Sequence, residues 1–282
     1  MYKKLGLGTL SLSGAYQRKT TLKIEREVEK IDSTYFQFID FAYVYKELGL
    51  DVLNILANYK NWRKKTINFK FARDLSKNNE DIFNEIIKSV PKNWEGDLFL
   101  MFHRVTNNSY KRHLEIISYL KKRSFDYDLS FGLSLHSIEQ YKDYISSDIF
   151  SKIQIPYNIV DNKAMDKLIK ICSNNKKIIQ ARSLLGGGLF TGKFDYSDFG
   201  KFEEGIRSGW NIQNKSFVKR IRKFEEIIKE NNFYSDKKLN FDEISLYMYD
   251  YVLKNKYIEE IISGGSNHKQ INLLGEFIKN LV

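Results

Sequence analysis

Proline, cysteine and long apolar runs are what this sequence has little of. Its 282 residues include only two prolines, Pro91 and Pro156, and no Pro/Gly/Ser-rich stretch or shift in composition marks a linker. One domain spanning 1–282 is therefore expected. Cys172 is the sole cysteine, which excludes an intrachain disulfide and suits a reducing compartment. It falls in the apolar pattern of Met165–Cys172 with no base nearby, so it reads as a small buried hydrophobe and not as a nucleophile. No stretch approaches the roughly 18 apolar residues that a membrane-spanning helix needs. Lys3 and Lys4 before Leu5–Leu12 imitate a secretion signal, but Gly6, Gly8, Thr9 and Ser11 interrupt that run. A glycine-broken strand accounts for it better, and a cytoplasmic protein with no membrane partner is expected. Also missing is a Gly-x-Gly-x-x-Gly opening a βαβ unit. Gly6-Leu7-Gly8 is too short for it, which argues against an open dinucleotide-binding sheet.

Charge is present in excess of one sign. The formal net charge is +11, yet the lysines are mixed with Glu and Asp on amphipathic stretches such as Lys215–Glu230. No arginine stripe with interleaved aromatics stands out, so nucleic acid is not expected as a partner. The balance favours an anionic small ligand, such as a phosphorylated cofactor.

Short runs rich in Ile, Phe and Leu recur along the chain at Lys4–Leu10, Tyr35–Phe41, Thr66–Phe71, Asp97–His103, Leu129–Ser134, Ile153–Pro156, Ile178–Ser183 and Ile258–Gly264. They read as strands buried on both faces. Between them, Leu22–Ile31, Glu47–Tyr59, Glu80–Ser89, Tyr110–Lys121, Ser137–Ser146, Lys163–Cys172, Phe217–Glu230 and Phe241–Asn255 place apolar residues at helical spacing, and a last helix is expected at Lys269–Leu281. Asn240 with Glu243 resembles a capping box. Eight strands alternating with helices predict a closed (β/α)8 TIM barrel.

Chemistry in a barrel sits at the carboxyl ends of the strands. Asp40 ends the second predicted strand, Lys70 the third and His103 the fourth, each after an apolar run. Isolated charges there are costly, so Asp40 and Lys70 are expected to pair. Tyr45 follows on the next loop, and beside a lysine ammonium its phenol pKa is expected to fall, making it a general acid. With His103 hydrogen-bonding the substrate, these residues suit an oxygen that gains charge, as a hydride-accepting carbonyl does. Gly186, Gly187 and Gly188 would let backbone N–H groups approach a phosphate.

The stretch Phe38-Ile39-Asp40-Phe41-Ala42-Tyr43-Val44-Tyr45 resembles the Asp-Thr-Ala-x-x-Tyr segment of the aldo/keto reductases, and Lys70 and His103 match the rest of that family's tetrad. The similarity runs over nearly the whole chain. Lys4–Thr9 resembles the first strand, Phe131-Gly132-Leu133-Ser134 the strand that grips the nicotinamide carboxamide, Gly186–Lys193 the pyrophosphate loop, and Gly264–Gln270 the turn that holds the adenosine phosphate. The resemblance implies an NAD(P)(H)-dependent oxidoreductase acting on a small carbonyl or alcohol. Asp40, Tyr45, Lys70 and His103 would be catalytic. The cofactor would lie across the barrel mouth on Gly8, Thr9, Asp40, Ser134, Gln154, Arg182, Ser183, Leu184, Gly186, Gly188, Lys193, Gly265, Ser266, Lys269 and Gln270. NADP is implied ahead of NAD, with Lys269 facing a 2′-phosphate, and no metal. The compact start and Ala181-Arg182-Ser183 are similar to a branch found with bacterial surface-polysaccharide biosynthesis, which implies a sugar or sugar derivative as substrate.

Several positions depart from the family pattern. Phe41 stands for its threonine, Leu135 for the asparagine after the serine, Arg182 for an aromatic residue, and Ser266 for an arginine. The departures at Leu135 and Arg182 motivate a second reading, a cofactor-binding regulatory or interaction protein on the same barrel. A third is an unrelated isomerase or aldolase barrel with Lys70 as a Schiff-base lysine. Tyr16 and Trp210, on or near loops, either pack those loops or shape the substrate pocket, and Tyr247, Tyr249 and Tyr251 are expected to pack a helix. His113 is expected to be solvent-exposed, and His136 to line the mouth or cap a helix.

Overall fold

The computed structural model describes residues 3–16, 19–48, 50–103, 105–106, 108–123, 129–135, 142–194, 199–201, 207, 210, 213–235 and 238–281. Eight parallel strands close into a barrel: β1 Lys4–Gly8, β2 Phe38–Ala42, β3 Thr66–Phe71, β4 Leu98–Phe102, β5 Ser130–Ser134, β6 Phe150–Pro156, β7 Ile178–Arg182 and, after a two-stranded ribbon of β8 Tyr234–Ser235 and β9 Lys238–Leu239, β10 Glu260–Ser263. β10 returns to pair with β1, with Lys4 opposite Glu260 and Leu7 opposite Ser263, which closes the ring. The predicted (β/α)8 barrel is thus observed, each strand within a few residues of its expected place.

The helices are α1 Thr21–Lys30, α2 Val52–Ala57, α3 Lys60–Arg63, α4 Asn79–Ile87, α5 Tyr110–Lys121, α6 Lys142–Ile145, α7 Lys163–Asn174, α8 Lys215–Asn231, α9 Phe241–Leu253 and α10 His268–Asn280. The single helix expected over Glu47–Tyr59 is instead a 3-10 turn at Tyr43–Leu48 followed by α2 and α3. Asp51 starts α2 afresh by accepting from the Asn54 N–H. Asparagine does the same for α4, α8, α9 and α10, where Asn78, Asn214, Asn240 and Asn267 each take a first-turn N–H. The Asn240 cap on Glu243 is the forward half of the expected capping box. Of the segment expected as a helix over Ser137–Ser146, α6 is described; His136 lies outside the described residues.

Alternate residues of the strands fill the barrel interior, and at the amino end of the ring the filling is aromatic and cationic. The Phe38 ring stands within 2.0 Å of where a Cβ on Gly6 would be, so only glycine admits it. The Lys152 ammonium lies over the Phe38 and Phe99 rings, 5.4 and 4.4 Å from their centroids. Outside the ring, strand side chains such as Leu5, Ile39, Phe69, Leu100 and Ile153 pack with the helices in one large core. A second cluster, with Phe190, Phe217, Phe224 and Met248, joins α8 and α9 to the glycine-rich segment after β7. Cys172 is 1% exposed, and burial pushes its thiol up to about 12, as an inert hydrophobe requires. His113 corrects an expectation: it is fully buried on α5, stacked on Phe102 at 3.9 Å, with Nδ1 3.0 Å from the Tyr144 hydroxyl. Among the described residues no helix is long and apolar enough to cross a membrane.

Candidate active site

The carboxyl ends of the strands open into a cavity of about 950 Å³. Every strand of the barrel reaches its wall: Gly8, Asp40, Lys70, Ser134, Pro156, Arg182 and Ile262 from seven of them, and His103 directly after β4. That volume lies at the upper end of the roughly 300–1,000 Å³ of small-molecule sites.

Asp40 and Lys70 form a direct ion pair through Oδ2 at the floor, with side chains 6% and 3% exposed. Tyr45 is presented by the 3-10 turn after β2 and is 8% exposed. The Lys70 ammonium sits 5.6 Å from its ring centroid, and Phe41 packs edge-on against the ring at 5.8 Å. The expected fall in the Tyr45 pKa does not occur. Burial raises it above the ordinary tyrosine value; Lys70 and Arg182 pull it down, but Asp40 offsets part of the lysine's effect. His103 is anchored by its backbone N–H to the Phe71 carbonyl at 2.9 Å and is half-buried on the cavity wall. Asp40, Tyr45, Lys70 and His103 thus share one wall.

The residues expected to hold a cofactor divide into two groups. Gly8, Asp40, Ser134, Arg182, Ser183, Leu184, Gly186, Gly188, Lys193, Gly265, Ser266 and Gln270 line the cavity. Thr9, Gln154 and Lys269 do not. Thr9 is fully buried and donates its hydroxyl to the Asp40 carbonyl at 2.9 Å. Gln154 is also fully buried, and its amide is engaged inside the barrel: Nε2 donates to Asp40 and Gln180, and Oε1 accepts from Ser134. Lys269 is exposed on the first turn of α10. Arg182 donates to the Leu135 carbonyl at 3.0 Å and to Ser183 Oγ at 3.3 Å.

Gly186, Gly187 and Gly188 have φ of 57°, 74° and 95°, a left-handed run that side-chain-bearing residues avoid. It turns a stretch of backbone into the cavity between β7 and α8. After the neighbouring strand β10, Gly265 and Ser266 precede α10, where the Ser266 N–H donates to Gln270 Oε1 and Lys19 donates to the Ser266 carbonyl. Of the two readings of Tyr16 the cavity one holds: it lines the wall, and burial pushes its phenol up to about 12. Trp210 does not line it; it packs with Phe194, Phe199 and Phe217. Tyr249 packs as expected, fully buried with its hydroxyl on Ser263 Oγ, yet it also reaches the wall.

Sequence reasoning passed over Arg73, Arg207 and the Arg220–Asp161 pair, all on the wall. The Arg207 guanidinium lies 4.9 Å from the Tyr16 ring centroid and 4.7 Å from that of Phe194, so it joins the loop after β1 to the segment after β7. Nothing in local spacing signals such contacts, because their partners lie far away in the chain.

The aldo/keto reductase family model matches residues 4–272. The chain belongs to the aldo/keto reductase family. It is accordingly an NAD(P)H-dependent oxidoreductase. No curated protein sequence matches it. Solved structures with the same fold include the glycerol dehydrogenase of Gluconobacter oxydans, at a TM-score of 0.68 and 16% identity, covering 97% of this chain and 85% of that one. An aldo-keto reductase of Bacillus halodurans in its holo form gives 0.63 and 13%, covering 99% and 92%. A thermostable aldo-keto reductase bound to the inhibitor epalrestat gives 0.58 and 15%, covering 98% and 93%. For an aldo/keto reductase the cavity suits a nicotinamide dinucleotide. The three left-handed glycines leave backbone open to a pyrophosphate, and a Cβ on Gly188 would stand 3.2 Å from the Arg207 guanidinium.

Proposed function

We propose that this aldo/keto reductase interconverts a carbonyl and an alcohol on a small hydroxylated substrate, a sugar or sugar derivative, with Tyr45 as the proton donor. The carrying observation is the Tyr45 phenol at the cavity floor beside the buried Asp40–Lys70 pair, with His103 on the same wall. Ser11, Tyr16, Glu47, Arg73 and Thr106 give the neighbouring wall many groups able to bond hydroxyls. The Gluconobacter neighbour is named a glycerol dehydrogenase, which puts polyols in the same screen. A single catalytic barrel in the cytoplasm is consistent with the one free, buried thiol.

When bound, the nicotinamide cofactor supplies or accepts the hydride. The chain's own residues handle the proton. In reduction, Tyr45 Oη gives its proton to the substrate oxygen as negative charge develops there, and the phenolate left behind faces the Lys70 ammonium. Asp40 holds Lys70 in place. His103 orients the oxygen. In oxidation the tyrosinate takes the proton from the alcohol. Ser134, Arg182 and the Gly186–Gly188 backbone would hold the cofactor along the mouth. NADP is proposed ahead of NAD: Lys19 reaches the Ser266 turn and the exposed Lys269 stands three residues on in the first turn of α10, while the nearby Glu27 carboxylate is already bonded to His268.

The rival reading, a cofactor-binding regulatory protein, draws on Leu135 and on the internal engagement of Gln154. A panel of aldoses, ketoses and polyols with each cofactor separates the two. The proposal expects turnover that Tyr45→Phe removes; cofactor binding with no turnover across the panel favours the rival.

A further inference from the structure

Beneath the catalytic wall, buried polar side chains continue down the barrel axis. Asp40 has its two carboxylate oxygens held by different partners, Oδ2 by Lys70 and Oδ1 by Gln154 Nε2 at 2.7 Å. The other Gln154 amide hydrogen goes to Gln180 Oε1 at 2.6 Å. Gln180 Nε2 then donates to Glu260 Oε2 at 2.7 Å, and the same oxygen is held by the Lys152 ammonium at 2.8 Å. Lys152 reaches Asn68 Oδ1 at 3.4 Å. Gln154, Gln180 and Asn68 are fully buried, and Lys152 and Glu260 are 5% and 4% exposed.

We infer that the chain Gln154–Gln180–Glu260–Lys152 is a positioning device for the catalytic pair, fixing the Asp40 carboxylate so that Lys70 faces Tyr45. Each carboxylate in it has one cation and one amide. Both Gln154 hydrogens point to acceptors, so the amide is locked in one orientation. Gln180 takes its orientation from the fixed Glu260, which Lys152 anchors among aromatic rings at the far end of the barrel. Gln154 is thereby assigned to Asp40 and not to the cofactor carboxamide. In a low-dielectric interior such a network is cooperative, because every member's orientation depends on the next. Without the Gln154 donor, both Asp40 oxygens compete for Lys70 and draw it from Tyr45. The charged and titratable groups facing the Tyr45 phenol are Asp40 from β2, Lys70 from β3, His103 after β4, Arg182 from β7 and Tyr16 from the loop after β1.

The proposal rests on the reading of Tyr45 as proton donor, and its first readout needs neither cofactor nor substrate. Tyrosinate absorbance, taken as wild type minus Tyr45→Phe, gives the Tyr45 titration; the same difference is taken in Gln180→Met and Gln154→Met backgrounds. The Tyr45 midpoint is expected to rise by about one unit in both. NADPH affinity in Gln180→Met should change less than about twofold, because that amide bonds only Gln154 and Glu260 and does not touch the cavity. The acid limb of alcohol oxidation should move upward by the same amount. An unmoved Tyr45 midpoint in Gln180→Met overturns the inference. So does a Gln154→Met protein with unchanged Tyr45 titration and NADPH binding weakened by about tenfold or more, which assigns Gln154 to the cofactor side, directly or through Ser134, and not to Asp40. A wild type that binds no nicotinamide cofactor overturns the functional reading alone, since the titration still reports the coupling.

Discussion

Tyr45 sits between opposing influences. Burial and Asp40 favour the neutral phenol, while Lys70 and Arg182 favour the phenolate, and burial wins. The consequence for pH is directional. Reduction requires the protonated phenol, so its rate is expected to hold through neutrality and fall only above the ordinary tyrosine range. Alcohol oxidation requires the phenolate and is expected to climb toward alkaline pH. A kcat–pH profile in both directions checks this; an alkaline loss of reduction centred well below 10 contradicts it. Tyr45→Phe is expected to lower kcat by roughly 10²–10⁴ with NADPH affinity intact, measured by steady-state kinetics beside a binding titration. Asp40, Lys70 and His103 were legible in the sequence because each follows an apolar run at a predicted strand end, and Tyr45 because it lies on the loop directly after Asp40. The direction of the Tyr45 shift was not, since it depends on how deeply the 3-10 turn buries the ring and on how far Asp40 neutralises Lys70. The amide partners of Asp40 were hidden for a related reason: Gln154 lies 114 residues away, and only barrel closure brings it near.

Elements carry their own tests. The loop from Gly186 to Gly188 is left-handed throughout, so Gly188→Ala adds strain at φ 95° and crowds Arg207. Loss of cofactor affinity by about tenfold is expected, read by fluorescence titration, with little change in the barrel's circular dichroism. On α5, burial and Arg112 hold the His113 imidazole down at about 3. The folded state therefore keeps the neutral ring, while the unfolded chain protonates near its ordinary 6.5. Stability is fully present above that value and is lost as pH falls from it toward 3. Tm followed over this window should drop more steeply for wild type than for His113→Gln; equal slopes would exclude His113 as the acid-sensitive group. Helical spacing placed His113 on α5 correctly. Which way it faces is settled by Phe102 and Tyr144, and neither is local in sequence. Conversely, Asn78, Asn240 and Asn267 were readable as caps or lie where helices were expected to begin, since capping is a short-range signal.

The molecule as a whole is a ring of apolar strands around a polar axis. The outer faces were plain from the Ile, Phe and Leu runs, and the count of eight gave closure. The axis was less plain. Lys152-Ile153-Gln154-Ile155 alternates in the way that elsewhere marks a strand with one wet face, yet in a barrel the polar side points into the dry interior. The Lys152–Glu260 pair ties β6 to β10 across that interior. Glu260→Gln, which leaves Lys152 charged and unpaired, is expected to cost about 3–5 kcal/mol in denaturant unfolding, and Lys152→Met with Glu260→Leu distinctly less. A double variant as unstable as the single one would contradict that view of the pair. The central claim is that the mouth of this axis is a nicotinamide site, and the most direct measurement is fluorescence titration of the purified wild type with NADPH and NADH. Saturable binding at one site per chain, tighter for NADPH, is the expected result. A demonstrably folded protein that binds neither cofactor would contradict the account.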